Sequence, residues 1–176
     1  MMKSLRKYVS LLLITVLLLA ACGQAGAEKA PAASREVADA SQMTTVEDVV
    51  EDGMVPVPGE NLLDGDYAVS VDSSSSMFRV VEATLHAADG ELTATITMSG
   101  TSYLYVYPGP ATEAAAAEES AWIGYTEDSE GRYCFTVPVE ALDAGVSCAA
   151  YSKNKELWYD RTLLFRAEKQ RAEIGR

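Results

Sequence analysis

The chain of 176 residues is short of several residue types that chemistry needs: it has a single histidine, three cysteines, and 14 basic against 26 acidic side chains. With His86 the sole imidazole and no CxxC spacing, a zinc site has to be assembled from scattered carboxylates. No Ser or Cys nucleophile motif accompanies His86, so triad and acid–base catalysis have no constellation to work with, and the reading is of a protein that is not an enzyme. No glycine-rich loop follows a strand and opens a helix, which leaves nucleotide binding unsupported. "DSEG" (128–131) lacks the alternating acidic ligands of a calcium loop and reads as a solvated turn. The formal charge of −12 argues against nucleic acid or anionic lipid headgroups as partners. Internal repeats, coiled-coil heptads and a second domain are also missing.

What is present begins with an address. "MMKSLRKYVSLLLITVLLLAACG" has a basic start (Lys3, Arg6, Lys7), an apolar run from Val9 to Leu19, and then small residues. The run is short for a spanning helix and ends at a processing site, which predicts a secretory signal peptide over residues 1–21. Leu19-Ala20-Ala21-Cys22 resembles the lipobox of bacterial lipoproteins. That resemblance implies cleavage before Cys22, diacylglycerol on its thiol, and a protein held on the outer side of the cell membrane by acyl chains, each buried CH₂ adding about 0.8 kcal/mol. Loss of the three basic residues takes the formal charge from −12 to −15. Residues 22–63 are small, polar and aperiodic, with Pro56 and Pro58 halting any helical turn over 45–50, and predict a lipid-anchored flexible linker. Residues 168–176 read as a charged tail.

Residues 64–167 read as one domain dominated by strand signals. In "MFRVVEATLHAADGELTATITMS", Asp89-Gly90 is a two-residue hairpin turn, because both central positions need positive φ. Pairing outward from it sets His86 opposite Thr93, Thr84 opposite Thr95 and Glu82 opposite Thr97. The alternate positions set Ala87 opposite Leu92, Leu85 opposite Ala94, Ala83 opposite Ile96 and Val81 opposite Met98. One set is polar and the other apolar, and a slip of one residue would destroy the agreement. Thr112 is placed to cap a short helix in the alanine-rich run that follows. "VSCAAYS" and "ELWYDRTLLF" form a second hairpin across "KNK". Seven or eight short strands with regular turn signals predict an all-β fold, an immunoglobulin-like antiparallel β-sandwich with one short helix, a barrel being the alternative. Cys134 and Cys148 lie in consecutive strands outside the cytoplasm, where a disulfide is permitted, but both have apolar neighbours; a bridge and two buried thiols remain equally open.

The aromatics carry the remaining information. In "YLYVY", Tyr103, Tyr105 and Tyr107 share one face by the period of two, and Leu104 and Val106 the other. If the aliphatic pair enters the core, the tyrosines form an outer patch for a flat ligand or a partner; alternatively the helix beyond residue 111 covers them. In "LWYDRTLLF", Trp158 and Tyr159 point to opposite faces, and a charge interrupts each face. This predicts a bulge near Asp160-Arg161, with Arg161 pairing with Asp160 or with an anionic ligand.

"SSSSMFRV", "DGELTATITMSG" and "WYDRTLLF", in that order, resemble the NEAT family. These are immunoglobulin-like haem-binding surface domains of Gram-positive bacteria linked to iron uptake. The three segments are also similar to small domains on clostridial lipoproteins that occur beside iron transporters. The resemblance implies that Ser75 and Met77 start a segment over one haem face with Phe78 adding contact, that Tyr159 is the iron ligand, and that Tyr151 and Trp158 are further plates over the porphyrin. Four residues after Tyr159 stands Leu163, where the family has a second tyrosine. The function these readings imply is capture of haem or iron at the cell surface, with the haem or iron uptake machinery as partner. The alternative is a protein- or glycan-interaction module without a small-molecule ligand.

Overall fold

The computed structural model describes residues 33–44 and 49–168; the expected signal peptide, Cys22, part of the expected linker and residues 169–176 lie outside them. The architecture grows from the Asp89-Gly90 turn, where both residues have positive φ (52° and 81°). β4 (Val80–Ala88) and β5 (Glu91–Met98) pair across it in the expected register from Ala88 opposite Glu91 to Glu82 opposite Thr97. Only the last pair differs. A bulge between Val80 and Glu82 sets Val80, not Val81, opposite Met98 and turns Val81 outward, 47% exposed.

β2 (Gly65–Ala68) and β9 (Tyr133–Val139) flank this hairpin, and β8 (Thr126–Glu127) closes the edge, giving the order β2-β4-β5-β9-β8. The second sheet is β3-β12-β11-β6-β7, from β3 (Val71–Ser73), β12 (Leu157–Phe165), β11 (Gly145–Ser152), β6 (Tyr103–Tyr107) and β7 (Ile123–Gly124). All these ladders are antiparallel. β2 and β3 are consecutive pieces of chain shared between the two sheets, so the first strand ties the layers together. The fold is therefore the expected immunoglobulin-like β-sandwich. A two-stranded ribbon of β1 (Val57–Pro58) and β10 (Ala141–Leu142) carries Val57 and Leu142 into the core.

The period of two sends Ala83, Leu85, Ala87, Leu92, Ala94, Ile96 and Met98 of the hairpin, with Phe135, Val137 and Val139 of β9, between the sheets. Cys148, Ala150, Leu163 and Phe165 meet them from the other layer. Cys134 has the opposite parity to Phe135 and lies on the outer face of its sheet, its Sγ 3.4 Å from Thr97 Oγ1. Cys148 faces inward on the other sheet. Two thiols on different faces of layers about 10 Å apart cannot meet, and both cysteines are free and buried.

A second apolar layer lies on the outer side of the β12–β11–β6 sheet, around Leu104, Trp122, Ala149, Tyr151 and Trp158. α1 (Ala111–Ala116) covers part of it with Ala111 and Ala114. Thr112 does not cap that helix: Pro110 holds the cap position, and the first helical N–H, of Ala111, donates to Asp160 Oδ1 at 2.5 Å. Residues 33–44, expected as free linker, cover the rest. Trp158 N donates to Glu36 O and Ala38 N to Trp158 O, both at 2.9 Å, and Val37 makes a parallel bridge with Trp158. Aperiodic composition does not keep this stretch free, because β12 presents it with an unpaired strand edge over an apolar floor.

Candidate functional site

β12 sits inside its sheet with packed material on both sides, so neither of its faces needs to alternate with polar residues. That is why the sequence resisted a reading as a two-faced strand. Its ladder with β11 is unbroken from Leu157 to Leu164, and the bulge expected near Asp160-Arg161 is not there. The irregularity lies instead between β11 and β6, at Tyr151/Ser152.

That shift undoes the tyrosine stripe. Tyr103 joins Val106 in the inter-sheet core, while Leu104, Tyr105 and Tyr107 belong to the outer layer. Tyr105 is half-buried beneath neighbouring rings, and burial, with the Glu119 charge second, raises its phenol above the ordinary value. Trp158 is fully buried and Tyr151 nearly so. Their rings lie 5.3 Å apart by centroid, and Trp122 stands 5.1 Å from Trp158 on the other side. Each polar tip is engaged: Trp158 Nε1 donates to Ser34 O (3.1 Å), Trp122 Nε1 to Ala114 O (2.8 Å), and Ser34 N donates to the Tyr151 hydroxyl oxygen (2.9 Å). Arg35 lies over the Trp122 ring at 5.2 Å. These aromatics form a sealed interior, not an open cleft.

Tyr159 and Arg161 share the parity of Leu163 and Phe165 and turn the other way, toward the space between the sheets. Both are buried, Tyr159 at 8% exposure and Arg161 at 5%. The guanidinium carbon stands 4.8 Å from the centroid of the Tyr159 ring. Nη1 donates to the Asp160 carbonyl at 2.6 Å, and Nε has no partner among the described residues. Opposite Arg161 on β11 is Cys148. Burial pushes its thiol up to about 12, the Arg161 charge pulling the other way and Asp160 adding to the rise.

The Ser74–Phe78 turn runs along this edge of β12. Ser74 N donates to Thr162 O, and Thr162 N to Ser74 Oγ, each at 2.9 Å. Leu163 pairs with Ser73, and half-buried Ser75 follows in the turn, its N–H donating to Ser73 Oγ at 3.3 Å. Phe78 N returns to Ser75 O at 3.0 Å and closes the turn. Phe78 is sealed in the core, edge-on to Tyr103 at 4.9 Å, and Met77 stands out with 79% exposure.

Of the residues expected to form one ligand surface, then, Phe78, Tyr159 and Arg161 fall on one side of the strand, Trp158 and Tyr151 on the other, and Ser75 lies in the turn at its edge. A porphyrin ligated by Tyr159 cannot lie against Trp158 or Tyr151, so the expected plates do not fit haem as a set; Phe78 and Tyr103 are the aromatics on the Tyr159 side. Tyr103, expected in the outer tyrosine patch, and Cys148, expected only as a disulfide candidate, are instead neighbours of this edge, Tyr103 through the bulge. His86 stays on the polar face, 2.7 Å from Asp66 Oδ1 and 3.2 Å from Thr95 Oγ1. "DSEG" is a turn in which Asp128 Oδ1 accepts from the backbone N–H of Glu130 and Arg132, and the Arg132 bond leads the effects that hold this carboxyl below its usual range. Among the described residues, no group of three His, Cys, Asp or Glu side chains is arranged to hold a metal ion. Comparison with family models, with characterised proteins and with solved structures finds no match for the chain.

Proposed function

We propose that this chain is the folded head of a surface-anchored lipoprotein that binds a small ligand at the Ser75–Tyr159–Arg161 edge and does no chemistry on it. The observation that carries the reading is a buried guanidinium without a carboxylate partner among the described residues, beside a buried tyrosine, at the edge where the Ser74–Phe78 turn leaves the sheet. Interiors pair their charges, and an unpaired one marks a place arranged for something else. Haem or another iron-bearing ligand, destined for uptake machinery, is the class the family resemblance implies. A phenol oxygen such as that of Tyr159 is a hard donor suited to ferric iron. Titration of the full chain with haem, followed in the Soret region, tests that class. The expected result is a saturable band shifted by Tyr159→Phe. The absence of a band, or one indifferent to that substitution, removes haem as the ligand.

A second reading is favoured by a different surface. Met77 and Val81 are exposed apolar side chains, and Val81 lines a groove with Val69, Val71 and Val80 beside the stretch of β4 that β2 leaves unpaired. That groove suits an interaction module for a protein or glycan. Capture of a surface partner that is lost in Val81→Asp but unchanged in Tyr159→Phe would decide for it.

A further inference from the structure

We propose that Arg161 anchors a carboxylate-binding site at the β3–β12 edge, where the Nε and Nη2 side of its guanidinium takes a planar carboxylate presented by a small ligand. The inference rests on the ligand-binding reading of the head, but not on iron.

The reasoning starts from charge. A guanidinium largely withdrawn from water needs a counter-charge or acceptors for its buried donors, and among the described residues Arg161 has no ion-pair partner and no acceptor for its buried Nε. Its one hydrogen bond, from Nη1 to the Asp160 carbonyl, leaves Nε orphaned. The groups that would offset the charge are engaged elsewhere. The Asp160 carboxylate is on the opposite face of β12, accepting from Ala111 N. Asp72, on the neighbouring strand, is held by Arg166 Nε at 2.6 Å. The Cys148 thiol stays protonated at neutral pH, so it supplies no negative charge. Among the described residues no carboxylate forms an ion pair with Arg161. The Tyr159 ring offers its face, which recovers only part of the lost hydration.

The shape of the vacancy in the hydrogen-bonding set names the ligand class. With Nη1 taken, what remains is the edge of the fork that meets two oxygens in one plane through parallel bonds. Because Arg161 is so nearly covered, the partner group must enter end-on, with the body of the ligand outside against the Ser75–Met77 turn. The acidic surround, with a formal charge of −12 over the chain, favours a monoanion over a phosphate dianion.

The test uses the full chain at pH 7 and constant ionic strength, with sodium acetate replacing sodium chloride, and follows thermal unfolding by circular dichroism. A ligand that binds only the folded state raises the midpoint by mass action. The expected result is a saturable rise of several degrees for the wild type. Arg161→Met is expected to melt in chloride at or above the wild-type temperature, since it removes an uncompensated buried charge, and to show no acetate response. If that variant does not fold, Arg161→Lys keeps the charge without the fork, and the acetate affinity is expected to fall at least about tenfold, the factor one lost charge-assisted hydrogen bond supplies. No acetate effect on the wild type, or an equal effect in the variants, overturns the site. Phosphate outperforming acetate overturns the carboxylate assignment. A haem band dependent on Tyr159 together with no acetate effect would sink this inference and leave the ligand-binding reading standing; acetate binding without a haem band would do the reverse for iron.

Discussion

Trp158→Ala is the perturbation that most directly separates a buried aromatic layer from an exposed ligand plate. The indole is fully buried, lies 5.1 Å from Trp122 and 5.3 Å from Tyr151 by ring centroids, and donates to Ser34 O. Truncating a buried Trp to Ala costs about 3–5 kcal/mol through lost transfer energy and the cavity left behind. Each lost ring pair adds about 0.5–1.5 kcal/mol where the neighbours cannot close in. The covering segment loses its anchor as well, so the upper part of the range, about 5 kcal/mol, is expected. For a folded unit of this size that corresponds to a drop of about 10–20 °C in the melting temperature. Urea unfolding followed by far-UV circular dichroism should show the midpoint falling with the slope unchanged. Trp158→Phe, which keeps most of the packing and loses the N–H donor, is expected to cost about 1–2 kcal/mol. A cost below about 1 kcal/mol for Trp158→Ala is what a solvent-facing residue gives, and it would refute the sealed layer and restore the open-cleft reading.

Gly59→Ala places a Cβ 2.2 Å from the Gly90 carbonyl oxygen at the tip of the first hairpin; because the obstacle is backbone, a loss of about 1–3 kcal/mol is expected in urea unfolding. The Cys148 thiol is raised from 9.0 to about 12 by burial, so the folded state holds a proton that the unfolded chain releases. Stability from this group is complete below pH 9 and falls by about 1.4 kcal/mol per pH unit above it. Between pH 9 and 10, below the range where Tyr133 titrates, that slope should vanish in Cys148→Ala, and neither cysteine of the wild type should react with a thiol reagent until the protein unfolds. Asp160→Ala removes the acceptor for the Ala111 N–H, and a loss of about 0.5–2 kcal/mol is expected, as for other helix caps.

The part of the fold legible from the sequence was the part in which one face is wet. Hairpin β4–β5 has a polar outer face, so the polar/apolar alternation fixed its turn, its register and its core residues; it missed only at Val81, where a bulge absorbs one residue. β12 was harder because both its faces are covered, and a strand buried twice has no alternation to read. The missing pattern predicts a bulge there, whereas the bulge lies beside Tyr151 and Ser152, where it sends Tyr103 inward and leaves Tyr105 and Tyr107 with the outer layer. Residues 33–44 gave no sign of their place. Ser34, Glu36 and Ala38 contribute mostly backbone atoms and one hydroxyl to β12 and its turn, and backbone hydrogen bonding carries no side-chain signature. At the edge site, the family resemblance of "SSSSMFRV" and "WYDRTLLF" implies a ligand surface, but the burial of Tyr159 and the buried, unbonded Nε of Arg161 are facts of packing that composition does not encode.

The coverage of β12 also bears on how this protein can fail. Its outward edge is occupied by two separate pieces of chain, residues 36–38 beside Trp158 and β3 beside Leu163 to Phe165. An uncovered strand edge is a template for pairing with a neighbour. A protease cut within residues 39–56 would let the first of those pieces diffuse away while the sandwich stayed folded. The Trp158 amide and carbonyl would then be bare, next to a newly wet floor of tryptophan and tyrosine. Nicked molecules should therefore self-associate where intact ones stay apart, which makes a dozen residues with one short 3-10 turn and a single bridge the safeguard of the sandwich's solubility.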